Sequence, residues 1–133
     1  MNVIRPTGTP KPSPWLSPAI LSDNGFLHIS GTCGQAESGE FVAGTVQDRT
    51  TQALKNIEAT LKAAGMGMED LVATTIYLSA YTRDFDDMNK AYVAAFPTGK
   101  PMPTRTCIGV AALPKGTDVE ITCVAFKKAD AKL

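Results

Sequence analysis

Apolar side chains recur along this chain with two periods. From about Thr45 to Ala64, Val46, Thr50, Ala53, Leu54, Ile57 and Leu61 return every three or four residues, while Gln47, Arg49, Gln52, Lys55 and Glu58 fall largely off that stripe. Such spacing predicts an amphipathic helix, and Gly65 suits the left-handed residue that ends one. A second helix is predicted from about Asp84 to Phe96, burying Phe85, Met88, Tyr92, Ala95 and Phe96. Asp84, Asp86 and Asp87 crowd its start, where the helix dipole favours negative charge, and Pro97 stops it.

Elsewhere the pattern is that of strands, rich in β-branched residues. Phe26–Cys33 alternates, with Phe26, His28 and Ser30 on one face and Leu27, Ile29 and Gly31 on the other. Further strands are predicted over Leu71–Ser79, Arg105–Leu113 and Val119–Phe126, with short ones at Asn2–Ile4 and Ala19–Leu21. Asn24-Gly25, Ser38-Gly39 and Pro114-Lys115-Gly116 read as turns. The opening segment, with Pro6, Pro10, Pro12, Pro14 and Pro18, favours extended backbone. The polar tail from Lys127 is expected to fray. The order βββαβαββ predicts an α+β fold, a mixed sheet with both helices on one face.

Composition narrows the function classes. A chain of 133 residues fits one domain, spanning 1–133. With 44% hydrophobic and 20% charged residues it is expected to be globular rather than disordered. Thirteen basic side chains balance 13 acidic ones, which leaves no electrostatic footprint for nucleic acid or an anionic membrane and little repulsion against self-association. No apolar stretch approaches a membrane span, and the opening residues have no signal-peptide core. Cys33, Cys107 and Cys123 are odd in number and form no C-x-x-C pair, so reduced thiols and a cytoplasmic location are expected.

Much catalytic chemistry lacks its residues. The one histidine, His28, sits mid-strand and reads first as a packed or hydrogen-bonded side chain, so a Ser-His-Asp or Cys-His nucleophile has no evident base. Clustered zinc ligands, a G-x-G-x-x-G and a P-loop are all missing, so no metal and no cofactor is expected. What remains is positional. Arg105 follows Pro101-Met102-Pro103-Thr104, whose prolines stiffen the approach, and a guanidinium takes a carboxylate through two parallel hydrogen bonds. Cys107 shares its strand face, and Glu120 heads the last strand. Each also has an ordinary reading: a surface ion pair, a small buried hydrophobe, a solvated edge carboxylate. Residue chemistry alone reaches only an α+β domain that binds an anion.

Four blocks go further. Pro103–Ala125 (PTRTCIGVAALPKGTDVEITCVA) closely resembles the C-terminal signature of the reactive-intermediate deaminase (Rid, YjgF-type) family, in which a P-x-R-[ST]-x strand, an A-x-L-P turn and an x-V-E-I strand follow one another. Phe26–Gly34 resembles the family's strand ending in Ser-Gly, Thr50–Gly65 its first helix, and Thr74–Pro97 the strand and helix after it. The resemblance runs from about Trp15 to Phe126.

It implies a chorismate-mutase-like (YjgF-type) fold, assembled as a homotrimer with a central barrel and clefts between subunits. It implies hydrolysis of 2-enamine and 2-imino acids, such as 2-aminoacrylate or 2-iminobutyrate, to 2-oxo acids and ammonia. Arg105 would bind the substrate carboxylate. The Cys107 backbone and Glu120 would position the attacking water. Ser30 and Gly31 would line the pocket, with Asn89 close by. The family's G-P-Y-x-Q element is replaced by Ser13-Pro14-Trp15-Leu16-Ser17-Pro18, which puts Trp15 in the tyrosine's place and removes its hydroxyl. Trp15 has an ordinary reading too, as a packing side chain at a subunit interface.

The trimer has a residue-level argument as well: Ile108, Val110, Ile121 and Cys123 exceed the apolar strand surface that two helices obviously cover. Two alternatives stay open. One is a non-catalytic or chaperone-like protein that binds a small carboxylate, and the other is a specialised deaminase of another enamine. Ribonuclease activity is attributed to some family members, and neutral charge gives it no support.

Overall fold

The computed structural model describes residues 1–128; the end of the polar tail expected to fray lies outside them. Six strands form one sheet: β1 (Asn2–Ile4), β2 (Ala19–Leu21), β3 (Phe26–Cys33), β4 (Leu71–Leu78), β5 (Thr104–Gly109) and β6 (Val119–Phe126). Their spatial order is β1-β2-β3-β6-β4-β5, and only β4 and β5 run parallel. Helices α1 (Val46–Ala63) and α2 (Tyr81–Ala94) cover one face, as the periodicity predicts.

Helix α1 begins where its caps say it should. The Thr45 side chain accepts the Gln47 amide, and the Asp48 carboxylate accepts the Thr45 amide, so two of the orphan donors at the helix start are satisfied. At its end the Met66 amide returns to the Leu61 carbonyl across Gly65, whose φ of 73° a side chain would resist. The whole predicted stripe of this helix is buried. It shares one buried core with Leu27 and Ile29 of β3, Ile76 and Leu78 of β4, and Val119, Ile121, Cys123 and Ala125 of β6. Burying each large aliphatic side chain contributes roughly 1.5–3 kcal/mol, and this layer is what holds the sheet against the helices.

Several expectations need correction. Helix α2 starts three residues early, at Tyr81, so only Asp84 falls in its first turn. That carboxylate is buried and accepts from Arg83 Nε and Nη2 at 2.8 and 2.9 Å. Strand β5 stops at Gly109 because β4, its parallel partner, ends at Leu78; beyond one further bond, Val110 to the Leu78 carbonyl, it has nothing to pair with. Ile121 and Cys123 lie beneath the helices, so they do not belong to a surplus apolar face. His28 is exposed on the open face rather than packed in the core. That open face carries Ile20, His28, Val124, Thr75, Tyr77, Thr106 and Ile108, all partly or largely exposed.

The strict alternation of β3 also fails past Ile29. Ile29 pairs with Cys123, but Thr32 pairs with Ile121, so β3 carries one extra residue against β6. A bulge of this kind rotates every later side chain to the other face. Gly31 and Cys33 thereby turn toward Glu120 instead of joining Leu27 and Ile29.

Candidate active site

Arg105 stands second in β5, in register with Thr74 of β4, and so faces α2. Three residues of one α2 face receive it. Phe85, Asn89 and Tyr92 are spaced i, i+4, i+7, which stacks them along the helix. The Arg105 Nη1 donates to Asn89 Oδ1. Its guanidinium carbon lies 4.9 Å from the Tyr92 ring centre and 5.6 Å from that of Phe85. Both are within cation–π range.

Tyr92 is itself anchored. Its hydroxyl lies 2.8 Å from Thr74 Oγ1, and Thr74 in turn donates to the Thr104 carbonyl at 3.4 Å, which leaves Tyr92 as the donor between them. Burial raises the Tyr92 phenol pKa, opposed by the Thr74 hydrogen bond and the Arg105 charge. Among the described residues no carboxylate stands within ion-pair distance of Arg105. A half-buried guanidinium held by an amide and two rings, with no carboxylate beside it among the described residues, has the chemistry to accept an anion. Cys107 shares the strand face and packs against the core; burial raises its thiol pKa, and Arg105 offsets part of that.

Glu120 lies elsewhere. It lines a cleft of about 510 Å³ between the proline-rich N-terminal arm, the bulge of β3 and the Pro114–Gly116 turn. Ser30, Gly31 and Trp15 line the same cleft. The Ser30 hydroxyl donates to the Ser17 carbonyl at 2.6 Å and so ties the arm to β3. Trp15 is 82% exposed on the cleft wall. The Glu120 carboxyl carbon approaches Gly31 so closely that a Cβ there would stand 2.8 Å from it. The Cys33 thiol donates to Glu120 Oε2 at 3.3 Å. Burial, then the charge and hydrogen bond of Glu120, push that thiol up to about 12.

An ion pair steadies the head of β6. Arg49 Nε and Nη2 reach the two Asp118 oxygens at 2.8 Å each, and Arg49 Nη1 donates to the Val42 carbonyl at 3.0 Å. The fork holds α1 against the strand two residues before Glu120.

One chain therefore brings the sequence-predicted residues together as two groups. Arg105, Cys107 and Asn89 sit under α2. Ser30, Gly31, Trp15 and Glu120 sit in the cleft. Strand β4 lies between β5 and β6, and Arg105 and Glu120 project from opposite faces of the sheet. Asn89 spends its carbonyl on Arg105, so it orients the anchor. Sequence reasoning missed Tyr92 and Phe85 as partners of Arg105 because they read as core; the signal was their helical spacing from Asn89. It missed Cys33 because the bulge leaves no mark in the alternation. Among the described residues no three His, Cys, Asp or Glu side chains gather into a possible metal site. No described helix is long and apolar enough to cross a membrane.

Comparison with known proteins gives a consistent match. A family model described as Endoribonuclease L-PSP matches residues 8–127. The chain is 41% identical over 112 residues to the human protein named 2-iminobutanoate/2-iminopropanoate deaminase, covering 84% of this chain and 79% of that one. It is 39% identical over 128 residues to a RutC family protein of Pyrococcus horikoshii, covering 96% and 98%. Its fold matches that of E. coli TdcF with bound serine at a TM-score of 0.89 and 27% identity, over 96% of this chain and 100% of that one.

Proposed function

The chain belongs to the Endoribonuclease L-PSP family, the YjgF/RidA proteins, and from that premise we propose that it is a deaminase hydrolysing 2-imino acids and their enamine tautomers to 2-oxo acids and ammonia. The observation that carries this reading is the Arg105 guanidinium, without a carboxylate at ion-pair distance among the described residues and preorganised by Asn89, Tyr92 and Phe85. It supports binding of one small carboxylate in a fixed orientation. Candidate substrates are 2-iminobutyrate and 2-aminoacrylate, the C4 and C3 members of the class.

The chemistry asks little more. Water adds to the imine carbon, the carbon–nitrogen bond breaks, and nitrogen leaves as ammonia. Glu120 accepts a proton from the attacking water and passes it to the nitrogen, giving a carbinolamine; the hydroxyl proton of that intermediate then moves to the nitrogen as well, so the carbonyl forms as ammonia departs. Holding the imine carbon beside an aimed water supplies much of the acceleration, since it replaces a chance encounter by a fixed one.

Within one chain Arg105 and Glu120 are too far apart to share so small a substrate. The site is therefore completed by a second copy of the chain, with Arg105 of one subunit facing the Glu120 cleft of its neighbour in a homotrimer. The open sheet face, with Ile108, Tyr77 and Val124 partly or largely exposed, supports such an assembly. The family model's name refers to an endoribonuclease, but balanced charge offers no basic surface for a phosphate backbone.

The test generates 2-iminobutyrate and 2-iminopropionate in situ with an amino-acid oxidase and traps them with semicarbazide. Wild type is expected to suppress trapping and Arg105→Ala to leave it unchanged. A folded wild type that is inert, yet is stabilised thermally by 2-oxobutyrate, would replace the enzyme by a carboxylate-binding protein.

A further inference from the structure

We propose that Cys33 is a positioning residue for Glu120: its thiol holds one carboxylate oxygen and thereby aims the other at the water. The inference rests on the reading of Glu120 as the group that activates water. Three observations carry it. Among the described residues the Cys33 thiol is the side-chain donor to Glu120, on Oε2 at 3.3 Å. Cys33 is buried on the cleft wall, and its own carbonyl accepts from the buried Asn56 amide at 3.3 Å, so the thiol has a fixed platform. Gly31, on the same bulged strand, leaves room for the carboxyl carbon, where a Cβ would stand 2.8 Å away.

A glutamate side chain has three rotatable bonds, and a carboxylate lining an open cleft samples many orientations. Here Gly31 admits the carboxylate and Cys33 gives it a donor on Oε2 alone. That leaves Oε1 free for the water. The thiol keeps its proton throughout, because removing it would place two negative charges in hydrogen-bond contact. The β3 bulge makes the arrangement possible: without the extra residue Cys33 would fall on the helix face with Ile29.

The other titratable groups facing Glu120 are Tyr77, directly opposite on β4, and Lys11 and Lys115 on the cleft wall. None of them appears among its hydrogen-bond partners in the described residues. They contribute charge or bulk, and rescue by Cys33→Ser separates their effect from that of the thiol.

The test compares Cys33→Ala and Cys33→Ser in the imine assay. Losing a donor to a charged group is expected to lower kcat roughly tenfold in Cys33→Ala, with KM held within about twofold. Cys33→Ser keeps a donor and should recover most of the rate. Both variants are checked by thermal melting. Wild-type kcat in a folded Cys33→Ala overturns the proposal, as does failure of a folded Cys33→Ser to recover above the alanine variant.

A second measurement does not depend on turnover. Peptide-resolved alkylation by iodoacetamide reads the Cys33 thiolate between pH 8 and 11. Glu120→Gln removes the neighbouring negative charge and should speed Cys33 alkylation while leaving Cys123 unchanged; equal Cys33 rates in both proteins would overturn the contact. An inert wild type would sink the deaminase reading and any catalytic role for Cys33, whereas the alkylation contrast would still decide the pairing.

Discussion

If each site is assembled from two chains, two inactive variants should rescue one another. Across the sheet, Arg105 lies in register with Thr74 and, through it, Cys123, while Glu120 lies three residues further along β6. Two strand spacings and three residues of rise separate their backbones by about 14 Å, and the two side chains leave opposite faces. A 2-imino acid has its carboxylate and reacting carbon one bond apart, so it cannot bridge that gap.

Arg105→Ala and Glu120→Gln should each be inactive as pure proteins. Co-refolded in equal amounts, they assemble at random. A site works only where an intact Arg105 of one variant meets an intact Glu120 of the other, so about a quarter of the wild-type activity returns in a cyclic trimer. The assay is imine hydrolysis per total chain, with native mass spectrometry reporting the mixed trimers. Abundant mixed trimers without activity would refute the shared site. So would a stable, active monomer in sedimentation.

Two further outcomes follow from the same geometry. Tyr92→Phe removes the buried hydroxyl that Thr74 meets at 2.8 Å, and chemical denaturation should show a loss of about 1 kcal/mol. The ring still faces Arg105, so KM should change little, whereas Tyr92→Leu should raise it. Cys123 lies in the core, where burial pushes its thiol up to about 12 from an ordinary 9.0. A pKa raised on folding stabilises fully below the unfolded value and is lost as pH climbs through the folded one. Stability should therefore fall above pH 9 by up to about 1.4 kcal/mol per pH unit for this group, and Cys123→Ala should flatten that decline in a melting series.

Much of this protein was legible from its sequence, and the rest was not for definite reasons. Local periodicity identified both helices, because burial of one face imposes a repeat of three to four residues on the chain itself, and β-branched patches between turn residues pointed to the strands. The caps of α1 and the turn glycines are equally local. The resemblance at Pro103–Ala125 singled out Arg105 and Glu120. Boundaries that depend on a partner were not legible: β5 stops at Gly109 because β4 ends at Leu78, and no residue of β5 records that.

The same distinction governs the site. The sequence by itself determined the α+β layering, since periodicity is a property of residue type and spacing, and its resemblance at Pro103–Ala125 pointed to Arg105 and Glu120 as candidates. Only the tertiary structure decided that Asn89 and Tyr92 serve Arg105, that Arg105 and Glu120 face away from each other in one chain, and that a bulge turns Gly31 and Cys33 toward Glu120. Those facts arise from register between distant segments. Hydrogen-bond ladders and packing across the sheet set that register, and no local pattern encodes it.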